Sequence, residues 1–536
     1  MDRLVPSAVI RRPGPAALLA AALLALPAAA GTEGLRTFRY ASQGDALDLD
    51  PHGANEGQTN AIRQEIFEGL VWRSADLALH PALAESWTRP GPTTWRFRLR
   101  KNVRFHDGTP FTADDVVFSF KRANHRNSDM KTYAALVKDV VRVDDHTVDF
   151  LTDGPDPILL QKLPYHFVMS RRWAEQNGAL EPPDRFTKEA PTARAANGTG
   201  PFRLVERVPD TRILLEANAA WWGAGGGKVD LARAEYRPIA NAATRVAALL
   251  SGEVDLVYPV PPQDLVRIRG ASGFRALEGP EVRTIYLGFD HFRDELLDMP
   301  GSGKNPFKDL RIRRAVYQAV DVKAIHDKVM RGSSRVTALL VAPAVQGYDP
   351  KLEARLPYHP EAARKLLAEA GWPQGFAVTM DCPNDRYVND EAICQAVVPM
   401  LARIGVKVSL NAQTKSKFFD KVRSHQTSFF LGGWASTTFD AHYTLSNLLV
   451  EQPPGPSWNF GRYSTPRMEA LTKAIGVEMD PARRQSLVSE ALQLARDDVA
   501  YVPLHDQTVA WAARQGVEVP LAPDNIPRLR QVRLAR

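Results

Sequence analysis

Two hydrophobic periods alternate along this chain. Trp95, Phe97 and Leu99 alternate with Arg96, Arg98 and Arg100, the period-two pattern of a half-buried strand with a basic outer face. Asp107-Gly108 then turns the chain. Thr112 to Asp115 reads as the capping-box start of a helix whose buried stripe is Val116, Val117 and Phe120. Val141–Val143 and Val148–Phe150 flank Asp144-Asp145-His146-Thr147, a hairpin signature. Further strands are predicted at Arg36–Ala41, Phe202–Val208, Arg212–Glu216, Val254–Tyr258, Ile285–Phe289 and Val406–Leu410. Helices are predicted at Glu65–Val71, Ala240–Leu250, Leu310–Val320, Pro360–Ala370, Ala392–Ile404 and from Asp480-Pro481 to about Asp497. Gly371 and Gly405 stop two of these helices.

Strands and helices thus alternate, with hairpins between them, which predicts an α/β architecture carrying an α+β insertion. Residues 176–200 are polar and rich in Pro, Ala and Gly, and read as a loop at a boundary. No internal repeat and no low-complexity tether separates the parts, so the domains are expected to pack together and exchange strands. At 536 residues the chain is long enough for more than one core. Its 44% apolar and 24% charged residues are those of an ordinary globular chain, which excludes a disordered polymer, a disulfide miniprotein and a polytopic membrane protein.

The N-terminus changes the picture. Arg3, Arg11 and Arg12 precede an unbroken apolar run from Ala16 to Leu26, and Ala28-Ala29-Ala30 gives small residues before Gly31. This is the layout of a secretory signal peptide over residues 1–30, too short to span a bilayer. Pro13-Gly14-Pro15 follows Arg11-Arg12 where a twin-arginine signal places a large apolar residue, which favours the general export route. No cysteine lies near the cleavage site, so a lipid anchor is not expected, and the mature protein is expected in the periplasm. The leader carries +2 of the net +7, leaving too little charge over the remainder to argue for nucleic acid. Export also permits a disulfide between the two cysteines, Cys382 and Cys394. The alternative is two buried thiols.

Motifs for chemistry are sparse. Gly223 to Lys228 fails as a phosphate loop, because Trp222 stands where the first Gly belongs and Val229 where Ser or Thr should follow the Lys. There is no Gly-x-Ser-x-Gly, His-Glu-x-x-His or Cys-x-x-Cys, and the 12 histidines are scattered singly. No constellation that could do chemistry is present, and no enzyme activity, cofactor or metal is expected. A secreted hydrolase is the alternative of a different class.

Several segments together resemble the extracytoplasmic solute-binding proteins of ABC transporters, in the family for dipeptides, oligopeptides and nickel complexes. They are Leu83-Ala84-Glu85-Ser86-Trp87 with Trp95–Arg100 and Val103–Val116; Gly198-Thr199-Gly200-Pro201-Phe202; and Asn305-Pro306-Phe307 with Asp309–Arg313. Gly433-Trp434 and Pro503-Leu504 are shorter matches. The resemblance covers about residues 36 to 515. It implies a two-lobed clamp: lobe I from 34–75, 193–285 and 501–536, an inserted domain at 76–192, and lobe II at 286–500. The hinge would be two crossing strands near Tyr286–Phe289 and Tyr501–Leu504. The implied partners are a peptide-like carboxylate ligand and an inner-membrane permease, the protein acting as a monomer. A chelated metal, an opine-like or sugar-like solute, and a clamp-fold chaperone or receptor are the alternatives.

The resemblance also implies ligand-binding residues. Asn384, Arg386 and Tyr387 lie in a loop that faces the cleft in such proteins. Arg386 matches an Arg that pairs with the ligand's carboxylate, for which a planar guanidinium fork is suited. Its other reading is a surface residue paired with Asp385 or Asp390. After Gly433-Trp434, peptide binders place an Asp that takes the ligand's ammonium group; here that position is Thr437, and Asp440 is the next carboxylate. A hydroxyl does not neutralise a buried ammonium, so either Asp440 substitutes or the ligand has no free amine. Trp434 reads equally as a cleft wall or as core.

Overall fold

The computed structural model describes residues 37–134, 137–184, 190–223, 229–299, 303–451, 453 and 457–535. The leader at 1–30 and the rejected phosphate loop beyond Gly223 lie outside the described residues. Among the described residues, no helix is long and apolar enough to cross a membrane.

One mixed sheet of eleven strands forms the frame. Two long strands at its middle, Phe274–Phe289 and Tyr501–Arg514, run antiparallel. The register between them shifts twice, between Pro280 and Thr284 and again between Ile285 and Tyr286. On one side, Phe429–Ala435 pairs with the far half of Phe274–Phe289, followed outward by Ala377–Pro383 and Lys407–Gln413. On the other, Leu256–Val257 pairs with the far half of Tyr501–Arg514, followed by Thr37–Ser42, Arg233–Pro238, Arg212–Ala217 and Phe202–Val208. Each half buries its own core. One centres on Phe38, Tyr236 and Trp511; the other on Leu287, Phe307, Met380 and Val397, with a further cluster around Phe430, Leu445 and Leu492. This is a two-lobed α/β clamp. A four-stranded antiparallel sheet, Ala84–Gly91, Thr94–Leu99, Thr147–Thr152 and Val137–Asp144, closes a separate core around Phe97, Phe120 and Phe150.

Local signals acted as the sequence predicts where contacts are local. Thr112 and Asp115 form the capping box of Ala113–Ala123. The basic face of Thr94–Leu99 is held by a bidentate pair from Arg96 to Asp149 on the neighbouring strand. Three elements differ from expectation, and the first is the strand expected at Ile285–Phe289, which is the end of the 16-residue Phe274–Phe289. The helix expected at Glu65–Val71 is Gly57–Ile66, capped by Glu56, whose carboxylate accepts from the Thr59 amide. Leu70 and Val71 are drawn into the core of the four-stranded sheet, and that tertiary contact overrides helical periodicity. The strand expected at Val254–Tyr258 is only Leu256–Val257, and Pro259, which has no amide, bars its extension at the C-terminal end.

The three long sequence motifs turn out to be joints. The His106 amide donates to Gly198 O at 2.9 Å, and the side chain of Asn197 both accepts from the Asp107 amide and donates to its carboxylate. Gly198 is required there: a Cβ would lie 2.0 Å from Ile66 O. Asn305 donates to Asp290 O and Arg293 O, and Arg313 reaches Phe307 O, Asp498 and Val499 O. These buried side chains satisfy loop carbonyls that burial would otherwise leave orphaned.

Candidate functional site

The loop after Ala377–Pro383 is fixed from three directions. Cys382, at the strand end, and Cys394, in the helix Asp390–Ala402, are joined by a disulfide, and both are fully buried. Asp390 accepts from the Arg386 and Tyr387 amides, each at 2.9 Å. Asp385 accepts from the Lys415 amide. Both carboxylates that could have paired with the Arg386 guanidinium are thus engaged by backbone N–H groups.

Among the described residues, the half-buried Arg386 guanidinium has no carboxylate within ion-pair distance. It lies 5.3 Å from the Tyr387 ring, and Arg283 approaches the same ring at 5.9 Å. Burial, and then the nearby Arg283 charge, push the Arg386 pKa below its ordinary value, though an arginine so shifted is still charged at neutral pH. Arg283 is neutralised by Glu281 at 3.1 Å, and Glu281 also accepts from Gln507 on the partner long strand. Tyr387 is buried and donates to Gly433 O at 3.2 Å. Its ring lies so close over Gly433 that a Cβ there would sit 2.7 Å from it, so only glycine lets the loop close on the strand.

Next in the strand, Trp434 stacks on Tyr443 with centroids 5.3 Å apart and meets Trp458 edge-on at 5.8 Å. It is buried, yet its indole Nε1 has no hydrogen-bond partner. Thr437 lies close to the hydroxyls of Tyr443 and of Tyr133, which belongs to the opposite lobe's core. Neither approach gives its Oγ1 a hydrogen bond of normal geometry. Tyr133 in turn donates to Asn55 at 3.4 Å, and the carboxylates of Glu281 and of Glu56, next to Asn55, act on the Arg386 charge without pairing with it. Asn55 is thus linked to the Thr437 corner through Tyr133, and Glu56 to Arg386 through charge alone.

The predicted residues divide accordingly. Arg386 and Tyr387 lie together on the Gly433 face of the strand, whereas Trp434 and Thr437 lie together about Tyr443, with Trp434 in the core cluster of the opposite face. Asn384 is exposed, and its amide pairs with Gln413 O in the sheet. Asp440 has another task. It is fully buried, accepts bidentately from Arg484 at 2.7 and 2.8 Å, and caps the helix Ala441–Leu448 through the His442 amide. Both of its oxygens are taken, so it is not free to receive a ligand's ammonium group. Sequence reasoning missed Arg283, Tyr443, Asn55, Glu56 and Tyr133. Arg283 falls just before a recognised strand, but nothing local in the chain marks the other four.

Two lobes joined by two shared long strands define the clamp of a solute-binding protein. The chain belongs to the bacterial extracellular solute-binding proteins, family 5, whose model matches residues 78–455. Among curated relatives it is 28% identical over 496 residues to heme-binding protein A of Haemophilus influenzae, covering 87% of this chain and 86% of that one. It is 24% identical over 471 residues to the glutathione-binding protein GsiB of Shigella dysenteriae, with 85% and 86% covered. The ABC transporter-associated periplasmic binding protein DppA of Helicobacter pylori, solved with the peptide STSA, superposes with a TM-score of 0.78 at 22% identity, over 94% of this chain and 98% of that one.

Proposed function

We propose that this protein is the periplasmic substrate-binding component of an ABC importer, capturing a peptide-like carboxylate between its lobes and handing it to an inner-membrane permease. The observation that carries the ligand class is the half-buried Arg386 guanidinium, unpaired among the described residues and flanked by a second guanidinium on Arg283. A carboxylate bound there would supply the missing partner in bidentate geometry. The peptide and glutathione named for the relatives carry such a group. On this reading lobe I comprises 34–75, 193–285 and 501–536, with 76–192 inserted, and lobe II 286–500. The mature protein starts near Gly31 without lipid, acts as a monomer and carries out no chemical step. Arg386, Tyr387, Trp434 and Thr437 are the proposed ligand contacts, with Arg283 beside them. Mass spectrometry of the solute retained through native purification tests the reading: a stoichiometric carboxylate is expected. Retention of a solute without an anionic group, or turnover of an ester or peptide, would refute it.

One observation favours a narrower ligand. The far corner of the cleft offers the Thr437 hydroxyl, the Trp434 indole N–H and the Tyr443 hydroxyl, all neutral, while Asp440 is committed to Arg484. A solute with an uncharged polar group at that end fits better than one with a free ammonium. Blocked and free-amine versions of one dipeptide, compared by calorimetry, separate the two readings.

A further inference from the structure

A cavity of about 380 Å³ opens where the four-stranded sheet faces Gln346 and residues 479–484. One wall is Trp87, Arg89 and Trp95 of the hairpin, with Pro157 and Leu160 beyond it; the other is Gln346, Met479 and Arg484. Met479 packs onto the core of the four-stranded sheet, so the two walls are in contact at one end of the cavity. The hairpin wall is aromatic and cationic. Trp95 is buried except for 8% of its surface, and its Nε1 has no hydrogen-bond partner. The exposed Arg89 guanidinium lies 5.4 Å from the Trp95 ring, with no carboxylate within ion-pair distance among the described residues. The facing arginine is different: Arg484 spends its donors on Asp440 and Ile475 O. Among the described residues, the polar lining therefore has one free cation, Arg89, together with the exposed Gln346 side chain.

We infer that this cavity is a further ligand site, for a planar aromatic anion whose ring lies against the half-buried Trp87 and whose carboxylate meets Arg89 beside Trp95. The size suits one small fused-ring molecule. Indole faces favour stacked rings, and an exposed guanidinium over an indole is already placed to share an anion. Because the walls come from both lobes, an occupant would touch both and would favour the arrangement that brings them together.

Calorimetric titration of the full mature protein with 2-naphthoate tests this. One saturable site is expected, weakened about tenfold, or ~1.4 kcal/mol, by Arg89→Ala and comparably by Trp87→Ala. The neutral 2-naphthylmethanol should bind similarly weakly, and Arg386→Ala should leave the naphthoate isotherm unchanged. Should Trp87→Ala fail to fold, Arg89→Glu, at an exposed position, carries the same test with a larger loss. Absence of saturable binding into the millimolar range would overturn the inference. So would binding that Arg386→Ala removes while Arg89→Ala does not, since that places the naphthoate in the principal cleft.

Discussion

Replacing Arg386 by Ala should separate binding from folding in opposite directions. Most half-buried arginines hold a partner, and truncating them destabilises the fold. Arg386 has none: its guanidinium faces the Tyr387 ring and the Arg283 charge, and burial and that like charge both disfavour the cation. In the ligand-free protein the truncation removes the cation–π approach to Tyr387, worth about 0.5–1 kcal/mol, and a longer-range attraction to Glu281 and Glu56, while relief of burial and of the repulsion from Arg283 offsets them. The ligand-free stability should therefore stay within about 1 kcal/mol of wild type or rise. Binding should behave otherwise. A ligand carboxylate desolvated against an alanine loses its partner, at a cost of about 2–5 kcal/mol, or roughly 30- to 5,000-fold in affinity. Arg386→Lys should recover only part, because an ammonium is a point charge without the planar fork. The assay is calorimetric titration with the solute identified by mass spectrometry, alongside thermal unfolding with and without it. Binding within about twofold of wild type (less than ~0.5 kcal/mol) would refute the reasoning. A ligand-free protein destabilised by more than about 2 kcal/mol would also refute it, since that is the signature of a broken native ion pair.

Other expectations follow from named groups. Asp440→Ala leaves Arg484 buried and unpaired and should cost about 3–5 kcal/mol in urea unfolding, while ligand affinity of the folded protein stays within about threefold; a selective loss of affinity without destabilisation would return Asp440 to the binding set. The disulfide joins residues 12 positions apart, so reduction should lower unfolding stability by about 3 kcal/mol; denatured, unreduced protein should show no reactive thiol, and two per chain would contradict the bridge. His505 is buried with neither ring nitrogen hydrogen-bonded, and burial pushes its pKa down to about 3. Below about pH 6.5 the unfolded chain takes up a proton that the folded chain refuses, so this residue's contribution is lost as pH falls, by about 1.4 kcal/mol per pH unit. His505→Phe should accordingly shrink the stability difference between pH 7 and pH 5 by about 2 kcal/mol, and an unchanged difference would exclude the residue as a source of acid sensitivity. Sequencing of the exported protein should begin near Gly31; retention of Arg11 and Arg12 would refute the leader assignment.

Much of the fold is legible because its signals are local. The capping box at Thr112, the Asp144–Thr147 hairpin and the helix stopped near Gly371 depend on residues a few positions apart. Elements buried on both faces are not legible that way. Phe429–Ala435 reads Phe-Phe-Leu-Gly-Gly-Trp-Ala, without alternation, because it lies between two strands and under helices. Its glycines are explained only by Tyr286 and Tyr387, rings from distant segments that occupy the space a Cβ would need. The candidate site is half legible for the same reason. Arg386, Tyr387, Trp434 and Thr437 stand in two short segments, whereas Asn55, Glu56 and Tyr133 come near Thr437 or act on Arg386 only through long-range folding.

The motifs that carry the family resemblance and the residues proposed to hold the ligand are different residues, and their surroundings differ in kind. His106, Asp107, Asn197, Asn305 and Arg313 satisfy buried loop carbonyls and amides at joints between substructures. Any clamp of this construction needs those joints whatever it carries. On the proposed reading, ligand selection falls to side chains with unused hydrogen-bonding capacity in the cleft: the Arg386 guanidinium, Trp434 Nε1 and Thr437 Oγ1. The two sets meet at the long strands. Glu281 joins Arg283 to Gln507, and Gln507 accepts from the Val388 amide in the Arg386 loop. A few residues along, Thr284 donates to Asp506, which also holds Arg335, beside the register shifts. A carboxylate arriving at Arg386 would change the charge balance of the Arg283–Glu281 pair, and that pair is anchored on both strands the lobes share. Capture and closure would then be linked through a handful of side chains on Phe274–Phe289 and Tyr501–Arg514, which explains why those two strands carry buried polar groups where a plain sheet core would be apolar.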